Sequence, residues 1–80
     1  MHEAKICLSL IDLAETHLTR AGGERITAMR LEVGDLSGVI PEALEAAFPI
    51  CAAGTRAENA ALHIDRTSGR RLLLRDMEIL

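Results

Sequence analysis

The stretch Ile26-Thr27-Ala28-Met29-Arg30-Leu31-Glu32-Val33, with Gly34-Asp35 and Ser37-Gly38 behind it, decides the fold. Its pattern repeats every two residues. Thr27, Met29, Leu31 and Val33 point one way, and Ala28, Arg30 and Glu32 the other. That is the period of a half-buried β-strand. The Gly-Asp and Ser-Gly pairs are turn chemistry that ends it. On both sides of this strand the period changes, and the fold class follows from those changes.

Upstream, from Glu3 to Arg20, apolar residues recur at three and four. Ile6, Leu10, Leu13 and His17 form one row, and Cys7, Ile11, Ala14 and Leu18 the next. Both rows belong to a single face of an amphipathic helix, which Gly22-Gly23 ends. Downstream, Pro41 through Phe48 reads as a second helix, since proline suits the first turn and Glu42 complements the N-terminal partial charge. Pro49 is expected to kink or end it, because the ring would clash with the Glu45 carbonyl. A short continuation through Ile50-Cys51-Ala52 is compatible with the pattern, and Gly54 closes it.

Residues 60–66 alternate again, with Leu62 and Ile64 inward and His63 and Asp65 outward. Thr67-Ser68-Gly69-Arg70 is a turn. Residues 71–79 form a third strand with a slip of phase: Leu72 and Leu74 have one parity, Met77 and Ile79 the other. A one-residue bulge near Arg75-Asp76 restores a common apolar face. A four-residue connection containing glycine predicts a hairpin between the last two strands. The expected fold is α+β in the order α-β-α-β-β, two helices packed on one face of a three-stranded sheet.

The chain of 80 residues and 8.7 kDa suits a single domain over residues 1–80. Hydrophobic residues are 49% of it, yet Phe48 is the only aromatic. The core is therefore aliphatic, and the stacking platforms that bind single-stranded nucleic acid are missing. A net charge of −3 also argues against nucleic acid, and Arg70, Arg71 and Arg75 form too small a basic cluster to reverse that. No apolar run approaches the length of a membrane span. The start, with Glu3 and Asp12 among its apolar residues, does not read as a signal peptide, which predicts a cytoplasmic location. Two cysteines outside any CxxC pair exclude a four-cysteine zinc site and a disulfide scaffold. No nucleophile–base pair, carboxylate dyad or phosphate loop is visible, so an enzyme is not expected.

The feature that carries chemistry is Met1-His2-Glu3. A terminal α-amine, the amide nitrogen of His2 and its imidazole Nδ1 close adjacent five- and six-membered chelate rings. Three such nitrogens in a plane favour Ni(II) or Cu(II) over Zn(II) or Mg(II). Copper binds that plane more tightly than nickel, so selectivity does not follow from the ligands. The amide must lose its proton, so affinity falls with acid. The fourth corner is open to Glu3, another side chain or water. The remaining candidates have plainer readings. His17 is a packed histidine or a helix C-terminal cation. His63 is a solvated strand residue. Cys7 and Cys51 pack as small hydrophobes, and Glu42 and Glu45 form a solvated helix face.

Taken together, the start MHE, the segment LEVGDLSGVIPEALEAAF, the stretch GTRAENAALHI and the ending RDMEIL resemble the HypA/HybF family of hydrogenase-maturation nickel metallochaperones. MHE alone is short; its collinear combination with the other segments is specific and covers nearly the whole chain. The resemblance implies a small α+β nickel-binding domain whose metal site depends on His2, with Met1 and Glu3 beside it. It implies Ni(II) as transient cargo and a HypB-like maturation GTPase as partner. The client it implies is the large subunit of nickel–iron hydrogenase, or urease for some members. One departure is large. The family carries a zinc-binding domain with two CxxC pairs between the last two strands; here residues 67–70 stand in its place, and no zinc is expected. Position 40, acidic in some relatives and able to approach the metal, is Ile40 here. The alternative reading is a metal-independent interaction module that binds the maturation GTPase.

Overall fold

A computed structural model describes residues 2–80. The elements are α1 (His2–Arg20), β1 (Ile26–Gly34), α2 (Pro41–Ala52), β2 (Ala61–Thr67) and β3 (Leu72–Ile79). The expected order and fold class are those observed, and each boundary lies within a few residues of the sequence pattern.

Helix α1 buries the row Cys7, Ile11, Ala14 and Leu18. The neighbouring row lies at the rim: Ile6 and Leu10 are half-buried, and Leu13 and His17 are exposed. The helix ends in a Schellman motif. The Gly23 N–H donates to the Leu18 carbonyl and the Gly22 N–H to that of Thr19, with Gly22 at φ +72°. Helix α2 begins on Pro41 without a side-chain cap at Ile40 and runs through Pro49 to Ala52. Proline does not end it here. The exposed Pro49 leaves Leu44, Phe48 and Ala52 buried, at the spacing of one stripe.

The sheet order is β2-β1-β3. Strand β1 pairs with β2 in parallel and with β3 antiparallel. This corrects the expected hairpin: β2 and β3 lie on opposite sides of β1. The physical reason is burial. Met29, Leu31 and Val33 are 1–2% exposed, whereas the apolar residues of β2 and β3 are half-buried or exposed. The strand whose inward residues are most deeply buried takes the centre, where both its edges are paired. Parallel pairing of β1 with β2 needs a crossover, and α2 supplies it.

The short connection can still join the two outer strands because it crosses the end of β1. Gly34 N–H donates to the Arg71 carbonyl at 2.7 Å, Asp35 N–H to Thr67 at 2.8 Å and Leu36 N–H to Gly69 at 2.7 Å. Asp35 Oδ1 accepts from the Gly69 N–H at 2.9 Å. The crossing is so close that a Cβ on Gly34 would lie 2.3 Å from the Gly69 carbonyl oxygen. Only glycine fits there.

The bulge expected near Arg75 is present. Arg30 pairs with Asp76 and Leu31 with Leu74, so Arg75 is the extra residue. Beyond it, Leu72, Leu74 and Met77 oppose Val33, Leu31 and Met29, which gives β3 one apolar face. A second bulge lies at Thr27 on β1, between the pairs Ile26–Ile79 and Ala28–Glu78. It corrects the sequence pattern: Thr27 turns outward and donates to the Glu78 carbonyl at 3.2 Å, while Ile26 is buried.

Candidate metal centre

His2 is the first described residue of α1, and a helix leaves its first four N–H groups without intrahelical partners. The His2 amide is therefore not committed to the helix ladder. Its side chain is 63% exposed, and Nδ1 lies 3.6 Å from Glu3 Oε1. The Glu3 carboxyl is only 11% exposed. An exposed imidazole thus stands over a carboxylate held against the protein, in a helix turn whose positive end disfavours a cation. The Glu3 charge offsets that. With Lys5, Ile6, Ser9, Leu10 and Leu72, His2 borders a shallow hollow of about 250 Å³.

The structure brings His2 and Glu3 together; the Met1 part of the expected site lies outside the described residues. Among the described residues, no group of three His, Cys, Asp or Glu side chains is placed to hold a metal ion. The other imidazoles are elsewhere. His17 is exposed in the last turn of α1, roughly 22 Å along the helix axis from His2. It lies exposed in that turn rather than packed. His63 is exposed on β2, opposite Arg30 on the sheet face turned away from the helices. On that face Arg30 lies 3.8 Å from Asp65 and 3.6 Å from Asp76, and Arg75 lies 3.6 Å from Glu32. The two Arg30 pairs are solvent-exposed and of small energetic weight, while the Glu32 side chain is only 14% exposed. Ile40 is 59% exposed at the start of α2 and offers no ligand atom.

Two features were not legible in the pattern. Glu42 is not simply solvated: it pairs with Arg66 of β2, whose guanidinium holds the carboxyl below its ordinary pKa. Cys7 and Cys51, distant in sequence, each reach across from one helix to the backbone of the other. The Cys7 Sγ donates to the Leu44 carbonyl at 3.6 Å, and the Cys51 Sγ to the Ala4 carbonyl at 3.7 Å. The available signal was helical phase. Cys51 follows Leu44 by seven residues and so shares its stripe, as Cys7 shares that of Ile11.

The comparisons with known proteins agree with this architecture. The profile of the family described as "Hydrogenase/urease nickel incorporation, metallochaperone, hypA" matches residues 1–72. The "Hydrogenase maturation factor HypA" of Geobacter sulfurreducens is 50% identical over 70 residues, covering 88% of this chain and 61% of that protein. That of Deinococcus radiodurans is 51% identical over 69 residues, covering 86% and 58%. The chain thus spans about three fifths of the length of these relatives. The solution structure of the Ni metallochaperone HypA from Helicobacter pylori superposes with a TM-score of 0.75 over all of this chain and 94% of that one. At 17% identity this likeness speaks for the fold alone. Profile and relatives together place this chain in the HypA family of hydrogenase and urease nickel-incorporation metallochaperones.

Proposed function

We propose that the chain binds Ni(II) through the Met1 amine, the His2 amide nitrogen and the His2 imidazole, and carries it as cargo for maturation of nickel–iron hydrogenase. The observation that supports this most is the exposed His2 imidazole at the first turn of α1, next to an amide the helix does not use. Binding through the exposed His2 together with the Met1 amine disturbs no core residue. Binding turns Nδ1 away from Glu3. The Glu3 carboxylate then either takes the fourth corner or compensates the added charge. The amide proton must leave, so loading is favoured as pH rises.

The reading makes the protein a carrier rather than a catalyst, working in the cytoplasm. The nickel-handling GTPase is its partner and the hydrogenase large subunit its client, with urease a second client. It also makes residues 1–80 one domain in which the short connection at 67–70 replaces the zinc-binding insertion, so no zinc is needed. Nickel supply and the partner, not the nitrogen plane, exclude copper.

Calorimetric titration of untagged protein with Ni(II) at neutral pH tests the site. Stoichiometric binding is expected in the wild type and none in His2→Ala or behind an N-terminal tag. Equal binding by wild type and His2→Ala overturns the reading. A GTPase complex that survives His2→Ala and ignores nickel then leaves the interaction module as the function.

A further inference from the structure

Strand β3 lies at an edge of the sheet, and among the described residues no strand pairs on its other side. The ladder tells which of its backbone groups are free. The Gly34 N–H donates to the Arg71 carbonyl, so Arg30 and Glu32, at the same parity of β1, turn their backbone toward β3. Their partners Asp76 and Leu73 are committed there. At the far end Arg25 and Leu80 exchange both their bonds. The residues between, Leu72, Leu74, Met77 and Ile79, therefore turn N–H and C=O outward to the open edge. Their side chains oppose Val33, Leu31, Met29 and Ile26, on the face covered by the helices.

A bulge normally blunts such an edge. A regular strand added to β3 loses register at Arg75. A second copy keeps it, because it brings the same extra residue. Turn the copy about a two-fold axis between Arg75 and Asp76, and the two β3 strands run antiparallel. Leu74 then falls opposite Met77 of the other copy, and Leu72 opposite Ile79. Every one of these residues has an outward backbone and an apolar side chain on the helix side. Without the bulge, positions 74 and 77 would face opposite ways. The charges match as well. Arg75 of each copy falls opposite Asp76 of the other, and the two side chains are 50% and 65% exposed. Opposite charges directly across a strand pair are stabilising, and like charges destabilising. Strand β2 offers no such match: about its midpoint, Ile64, an apolar Leu62 falls opposite Arg66.

The helix layer continues the edge. Ile6 and Leu10 of α1 border a hollow of about 250 Å³ with Leu72, and His17 borders one of about 190 Å³ with Leu74 and Met77. Leu13, between them on the same row, is 45% exposed. We propose that β3 pairs with β3 of a second copy, antiparallel about a two-fold axis between Arg75 and Asp76, joining two three-stranded sheets into one of six. The interface is isologous and closed, so pairing stops at two copies. It covers apolar rim that a domain this small has little core to offset. The proposal rests on the strand edge and not on the nickel reading.

Sedimentation equilibrium and backbone amide exchange, from micromolar to millimolar protein, test it. The expected mass rises to twice 8.7 kDa. Amides of Leu72, Leu74, Met77 and Ile79 gain protection only as it does, while those of Leu73 and Glu78 are protected throughout. Asp76→Arg sets like charges across the axis and raises the dissociation constant roughly tenfold or more. Arg75→Asp does the same, and an equimolar mixture of the two variants forms a heterodimer. If either variant fails to fold, the wild-type amide pattern decides alone. A single-chain mass at millimolar protein overturns the proposal. So does a dimer whose four edge amides exchange as in the monomer, one that Asp76→Arg leaves as tight as wild type, or folded variants that do not combine.

Discussion

The crossing over Gly34 and the first turn of α1 are held by different means. The crossing is fastened by backbone: three N–H groups of residues 34–36 donate to carbonyls of Thr67, Gly69 and Arg71, and Asp35 returns a side-chain acceptor. No side chain could be inserted at Gly34 without moving main chain. The first turn of α1 is held by side chains, namely the inward Glu3 carboxyl and the Cys51 thiol on the Ala4 carbonyl, and His2 stands in solvent. One region has a single permitted arrangement. The other can change partners, as the proposed nickel reading requires of His2.

That contrast is broken most forcefully at Gly34. Gly34→Ala drives a methyl against the Gly69 carbonyl and should lower stability by about 3 kcal/mol. For a domain of this size that lowers Tm by roughly 10–20 °C, measured by thermal unfolding. The variant that remains folded should bind Ni(II) as before. A wild-type Tm would mean the crossing is loose. His2→Ala is the reciprocal case. It should remove Ni(II) binding while Tm shifts by no more than about 3 °C. A large Tm loss would show that His2 is structural.

A smaller effect separates the thiols from both regions. The Cys7 pKa rises from 9.0 to about 11 on folding, so the folded state holds the proton the unfolded chain releases. The sign follows: this contribution is complete below about pH 9 and is lost as pH climbs toward 11. Denaturant midpoints of the wild type should fall across that interval, and those of Cys7→Ala should fall less. Parallel curves would remove the case for thiol burial. The smallest effect belongs to Glu42. Its carboxyl is held below its ordinary pKa by Arg66, so the pair contributes above the usual carboxylate range and fades as pH drops through the folded value. Because both partners are fully solvent-exposed, Glu42→Gln should leave the neutral-pH Tm unchanged within error. A clear drop would mark that edge of the sheet as more than a solvated surface.

Much of the fold was legible locally. Both helices, all three strands, the Gly22 cap and the bulge at Arg75 follow from period, glycine placement and parity. The bulge was readable because Leu72, Leu74, Met77 and Ile79 change parity within one strand. The one at Thr27 was not, since threonine is at home on either face of a sheet. Continuation of α2 through Pro49 was open in the sequence. In the molecule, the Phe48 and Ala52 anchors keep the last turn in place. Of the candidate site, His2 and Glu3 were named from covalent proximity alone, and the structure adds that the carboxyl is buried beneath the ring. The contacts of the two cysteines across the helix interface were hidden because 43 residues separate them and no local pattern records which helix faces meet.

By itself the sequence determined what lies within one element or a few bonds. That covers helix faces, strand faces, turn residues, the aliphatic core and the candidate donor atoms at Met1-His2-Glu3. Those properties depend on local geometry, which has a fixed period. The tertiary structure alone decided strand order, the crossing over Gly34 and the contacts of Cys7 and Cys51 across the helix interface. A short connection between β2 and β3 is compatible either with a hairpin or with a step across an intervening strand. Competition for the most buried place in the sheet, which β1 wins through Met29, Leu31 and Val33, settles which of the two forms.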